Sequence, residues 1–192
     1  MRSGTKGLLL RSALTREDFE KVYFLLSGPA LHGDCGELCG RMCCQEYEPG
    51  VGMYLIPGEE CMFTGKEPWL KWRYQWAKNH DFPPEWDGLV QFVVCKGICP
   101  RERRPIQCRT FPLMPYLDTS GNLDARLDAL TGSLICPLVR SSNKHSLRPE
   151  FVENVLEAWK ILLKDPLVRA DVAQQSRKLD QDEGAPWRRL LV

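Results

Sequence analysis

Apolar residues at helical spacing mark segments near both ends of the chain. Thr15 precedes an acidic first turn and an apolar face made of Phe19, Val22, Tyr23 and Leu26. This arrangement predicts a helix that begins after Thr15. From Pro149 an apolar face recurs at the same spacing, opposite charged residues: Phe151, Val152, Val155, Leu156, Trp159, Leu162 and Leu163. Asp165-Pro166 then predicts a further helix, because Asp caps a helix and Pro fits its first turn.

Strand patterns occupy the middle of the chain. "VGMYLIPGEE" (51–60) predicts a short strand closed by a Pro-Gly turn. "GLVQFVVC" (88–95) is rich in β-branched and aromatic residues, and it predicts a strand that ends at Cys95. Residues 112–129 predict a hairpin with a glycine-containing turn. Together the patterns predict an α+β fold with short strands, irregular loops and C-terminal helices.

An aromatic-rich stretch separates these strands. It contains seven large rings between positions 63 and 87: Phe63, Trp69, Trp72, Tyr74, Trp76, Phe82 and Trp86. Such rings could stack on a ligand, but large aromatic side chains dominate core packing. We therefore interpret the stretch as core that shields neighbouring sites.

Composition and charge narrow the class of protein. The 192 residues are 43% hydrophobic and 27% charged, with a net charge of +1. This balance allows a core of useful size and does not call for nucleic acid or an anionic membrane as partner. The apolar run Gly7–Leu10 is too short for a signal peptide or a membrane span. We expect a cytoplasmic protein without a membrane association.

Cysteine is the residue type that points to chemistry. The chain has nine cysteines, an odd number, and a reducing compartment disfavours disulfides. One cysteine, Cys61, stands apart. The other eight are the candidate metal ligands and form two closely spaced sets and one single cysteine: Cys35, Cys39, Cys43 and Cys44; Cys95, Cys99 and Cys108; and Cys136.

Clustered thiols favour four-coordinate soft-metal sites. Thiolate is the preferred ligand of zinc and of iron–sulfur clusters. Eight thiolates at four per site predict two sites, with zinc as the first choice and an iron–sulfur cluster as the alternative. The adjacent Cys43 and Cys44 point in different directions, so they serve two metals, or one metal and one reactive position. The basic run around Cys108 is short and lacks interleaved aromatic residues, so we do not expect nucleic-acid binding.

Two motifs resemble a known family. "CGELCGRMCC" (35–44), followed downstream by "CKGICPRERRPIQCRTFPLMPY" (95–116), resembles the YkgJ-type cysteine-cluster family, described as zinc- or iron-chelating domain proteins. The likeness covers roughly residues 31 to 138 and includes "YLIPGE" (54–59). It implies that the same eight cysteines bind metal. With the helical patterns at both ends, we predict a cysteine-cluster metal-binding domain with an N-terminal helix over residues 1–148 and a helical C-terminal extension over residues 149–192 packing on it.

Two classes of function remain open. The first is a metal-binding protein whose biochemical role is undefined and whose partner is an unidentified protein or small molecule. The second is an iron–sulfur enzyme or redox protein that modifies a protein or a small molecule. A full shell of four cysteines per metal favours the first class, and three cysteines beside a pocket favour the second. No catalytic residue is assigned. Arg109, next to Cys108, is expected to turn away from the metal and to bond to a carboxylate or to carbonyls of the first cysteine loop.

Overall fold

A computed structural model describes residues 8–44, 50, 52–97, 99–128, 136–140 and 147–183. Its helices and strands follow in chain order: α1 (Arg16–Leu25), β1 (Gly52–Tyr54), β2 (Leu70–Trp76), β3 (Leu89–Cys95), α2 (Ile106–Thr110), β4 (Leu113–Leu117), β5 (Leu123–Leu127), α3 (Pro137–Arg140), α4 (Pro149–Leu162) and α5 (Pro166–Glu183). Short strands, irregular loops and C-terminal helices confirm the predicted α+β class.

The helices begin at the predicted caps. The Thr15 side chain accepts a hydrogen bond from the Asp18 backbone N–H, and the Asp18 carboxylate accepts one from the Thr15 backbone, which is a capping box. At α5, Asp165 Oδ1 accepts from the Leu167 N–H at 2.7 Å. Its Oδ2 accepts from the Ser12 hydroxyl at 2.5 Å. Asp165 therefore caps α5 and fixes the segment that leads into α1.

A three-stranded antiparallel sheet carries the middle of the chain. β3 lies between β1 and β2, as the run of buried residues along β3 requires. β2 was not predicted, although its apolar and polar residues alternate as a strand requires. The aromatic-rich stretch of residues 63–87 was interpreted as core. This is confirmed for Trp86, which is 4% exposed, and is wrong for Trp76, which is 38% exposed.

The main core lies between the helices and the β4–β5 hairpin. Val22 of α1 and Val155 of α4 are both fully buried in it, so residues on both sides of position 148 contribute. A second cluster lies on the sheet and contains Leu70, Val93 and Cys99, with Trp69 and Trp72 against it. One of the candidate ligands, Cys99, is therefore packed among apolar residues on the sheet.

Candidate metal centre

The first four cysteines lie in a loop of tight turns. Short 3₁₀ helices span Cys35–Leu38 and Met42–Cys44. The Asp34 carboxylate accepts from the Gly36 N–H at 3.0 Å and from Arg41 Nη2 at 3.1 Å. Arg41 has a φ of 60°, a left-handed conformation that is uncommon outside glycine. The loop is therefore held in a turn that its polar side chains support locally.

Four thiols surround one small cavity. Cys35, Cys39 and Cys43 of the loop and Cys136, next to α3, line a cavity of about 30 Å³, close to the volume of one water molecule in the liquid. Apolar residues complete its wall, among them Phe111. The structure thus brings one distant cysteine to three cysteines of the first loop.

The other four thiols form a second group. Cys95 ends β3, Cys99 follows a turn, and Cys108 lies in α2. Burial raises the pKa of the Cys108 thiol well above its ordinary value. Three neighbouring thiols raise it further: those of Cys95, Cys44 and Cys99. Since such an effect requires proximity, these four thiols lie within electrostatic reach of one another.

The adjacent cysteines lie where the two groups meet. The Cys43 Sγ lies 3.9 Å from the Cys44 Sγ. Cys43 lines the first cavity, and it also lines a larger cavity with Cys44 and Cys108 and lies within electrostatic reach of Cys108. Cys44 interacts with Cys99 and Cys108. The contact between the two thiols lowers the pKa of Cys44 to about 6, with help from Arg104. The pKa of Cys43 is raised by the same contact and by burial. The pair therefore favours one thiolate and one thiol over two thiolates.

No finished metal cage is present in the described ranges. Among their His, Cys, Asp and Glu side chains, no group of three or more is arranged so that it could hold a metal ion as it stands. Metal binding through the eight cysteines therefore stays a prediction. The donor set fits zinc or an iron–sulfur cluster, because it offers four thiols in each of two groups.

A buried carboxylate holds the helix that carries Cys108. Glu59 is 0% exposed. Its Oε1 accepts from the Tyr23 hydroxyl at 2.9 Å and from the Ile106 N–H at 2.7 Å, and its Oε2 accepts from the Ile56 N–H at 3.1 Å. Burial raises the pKa of Glu59 to about 7, against the effect of these hydrogen bonds. Glu59 thus joins α1 to the first residue of α2. Sequence reasoning missed it, although "YLIPGE" ends on this residue.

We expect Glu59→Ala to be strongly destabilising. The substitution leaves three buried donors without their acceptor, and each unsatisfied group costs about 1–3 kcal/mol, so we expect a loss of about 3–5 kcal/mol in the free energy of unfolding. Denaturant unfolding measures it. Glu60→Ala, one residue along and partly exposed, is the matched control and should cost less than about 1 kcal/mol. Equal losses in the two variants would contradict the role given to Glu59.

Arg109 is buried, as expected, but its partners differ from those predicted. It is 5% exposed, and its guanidinium lies 4.1 Å from the centre of the Tyr23 ring. Its Nε donates to the Arg104 carbonyl at 2.7 Å. The expectation that it would bond to the first cysteine loop is wrong, because the α2 turn directs it towards α1 instead. Arg109 therefore supports the same α1–α2 contact as Glu59.

The ninth cysteine lies elsewhere. Cys61 is half-buried in a 3₁₀ turn and packs against the main core. Its carbonyl accepts a hydrogen bond from Arg16 at 2.9 Å. Cys61 lines neither cysteine group, which agrees with its separation from the others in the sequence.

Comparisons with known proteins leave the family open. No family model, no curated protein and no solved structure matches the chain. The likeness to the YkgJ-type family therefore remains a resemblance of motifs. Within the residues that the structure describes, no helix is long and apolar enough to cross a membrane.

Proposed function

We propose that the protein binds metal through two groups of four cysteines. The first group is Cys35, Cys39, Cys43 and Cys136, and the second is Cys44, Cys95, Cys99 and Cys108. The observation that supports the proposal is that the thiols gather at two neighbouring places, one around a small cavity lined by Cys35, Cys39, Cys43 and Cys136 and one around Cys108. The assignment of Cys43 to the first group and of Cys44 to the second is part of the proposal. We further propose that the chain is related to the YkgJ-type family, on the resemblance of its motifs, and that it works in a reducing cytoplasmic location that keeps the thiols available.

Zinc is the first choice of metal. Structural zinc sites use four protein ligands and leave no open position, which matches four thiols per group. Arg104 lowers the pKa of Cys44 and opposes the raised pKa of Cys99 and Cys108. Its positive charge would therefore favour thiolates in the second group. An iron–sulfur cluster uses the same ligand set and is the alternative.

Metal analysis of anaerobically purified protein tests the proposal. We expect about two zinc ions per chain, from eight thiols at four per ion, or iron and sulfide with a visible absorption band if the group holds a cluster. Protein that is folded, fully reduced and free of both metals after growth with excess zinc and iron would contradict the proposal.

One observation favours an enzyme as the second candidate. A cavity of about 390 Å³ opens beside the thiols and is lined by Cys43, Cys44 and Cys108 together with Tyr54 and Arg104. Its volume lies within the range of small-molecule sites. A metal ion or cluster bound by the second group would lie beside this cavity. If the protein is an iron–sulfur enzyme that acts on a small molecule or a protein side chain, the cavity would hold the substrate.

A further inference from the structure

A second cavity lies beside the one lined by cysteines. It has a volume of about 340 Å³, and four aromatic rings contribute to its wall: Tyr54, Phe82, Phe111 and Trp159. The two cavities share Tyr54, Gln107, Phe111 and Asp128. They therefore adjoin one another, with thiols at one end and helices α4 and α5 at the other.

Two polar groups in this cavity lack partners. Trp159 of α4 is 5% exposed, and within the described residues its Nε1 has no hydrogen-bond acceptor. Asp171 of α5 also lines the cavity, and its buried Oδ1 has no donor there. Buried polar groups are normally hydrogen-bonded, and buried charges are normally paired. A buried donor and a buried acceptor that are both unsatisfied indicate a place for a ligand.

Asp171 brings a negative charge to this cavity. Burial raises its pKa to about 6, opposed by a hydrogen bond from Gln175 and by the charge of Lys178, so the carboxylate is ionised above neutral pH. Lys178 itself makes an ion pair with Asp81. The cavity therefore offers a largely desolvated carboxylate to a cationic ligand.

We propose that this cavity binds a small organic ammonium ion. Aromatic faces attract such cations, and a desolvated carboxylate adds a paired charge. The Asp171 carboxylate would face the ammonium group, and the Trp159 N–H would donate to an oxygen of the same ligand. Ammonium binding itself does not depend on bound metal. The orientation of the ligand's other end towards the thiols rests on the proposed metal-binding function.

A pair of isosteres tests the charge requirement. Choline and 3,3-dimethylbutan-1-ol have the same shape, and only choline carries the positive charge. Calorimetric titration of the purified protein above neutral pH should show choline binding at least about tenfold more tightly, a difference of about 1.4 kcal/mol. Butylammonium serves as a second cation. Metal content is measured on the same samples, so a failure of metal binding is seen separately from a failure of ammonium binding.

A matched pair of variants tests the residue. Asp171→Asn keeps the shape and removes the charge, so choline should bind at least about tenfold more weakly, while the melting temperature should stay equal or rise because an unpaired buried charge is removed. Asp87→Asn, at an exposed aspartate, is the control and should change neither the affinity for choline nor the melting temperature. The proposal is overturned if neither cation binds, if the neutral alcohol binds as tightly as choline, or if Asp171→Asn binds choline as the unaltered protein does. The isostere comparison stands even where the variant fails to fold.

Discussion

Removing bound metal should lower the melting temperature by about 10 °C or more. Structural zinc contributes several kcal/mol to small domains, and each kcal/mol shifts the melting temperature of a chain of this size by about 2–4 °C. The loop of residues 35–44 offers few apolar side chains for the core, so beyond the local hydrogen bonds of Asp34 we expect metal ligation to be the main source of its stability. Differential scanning calorimetry before and after chelation, with mild oxidation of the freed thiols, measures the change.

Selective recovery is the control for this prediction. Reduction followed by zinc should restore the original melting temperature, and magnesium should not, because thiolates prefer zinc. The core formed by α1, α4 and the hairpin is independent of most cysteines, so helical circular dichroism should survive in part. An unchanged melting temperature after verified loss of metal would show that the metal does not stabilise the fold.

Single cysteine substitutions should each remove one of two metals. Cys108→Ser should empty the second group and leave the first, and Cys136→Ser should do the reverse. The double variant should lose both metals. The reason is that a zinc site with three thiolates and a hydroxyl binds far more weakly than one with four thiolates. Metal content per chain, measured after gel filtration, reports each loss.

Two comparisons sharpen this test. Cys61→Ser should keep the full metal content, because Cys61 lines neither group. Cys43→Ser should behave like Cys136→Ser, and Cys44→Ser like Cys108→Ser, because the adjacent pair divides between the groups. If Cys61→Ser lost as much metal as Cys108→Ser, the ligand assignment would be wrong. If Cys43→Ser and Cys44→Ser emptied the same group, the division would be wrong.

Local signals explain which parts of the fold could be predicted. The caps at Thr15 and Asp165 and the β-branched run of β3 act over a few residues, and all three were confirmed. β2 was missed because the alternation of apolar and polar residues along it coincides with three aromatic residues that also suit a core. Trp76 shows that an aromatic residue in this stretch need not belong to the core. It lies at the end of β2, and its ring is partly exposed to solvent.

For the candidate site, too, local sequence patterns predicted some features, and contacts between distant segments determine the others. Close spacing nominated seven of the eight cysteines, because metal ligands come in close sets, and the resemblance of motifs supplied Cys136. Their grouping depends on contacts across the chain, such as Cys136 beside Cys35, which no local pattern encodes. Glu59 is a further case. Its role arises from donors on three separate segments, so only the folded structure reveals it.

X-ray absorption at the edge of the bound metal tests the central claim most directly. Anaerobically purified protein should give a first shell of four sulfur atoms at about 2.3 Å, with no nitrogen or oxygen contribution. The same shell should remain in Cys61→Ser. A shell dominated by nitrogen or oxygen, or with fewer than about three sulfur atoms per metal, would contradict metal binding by two groups of four cysteines.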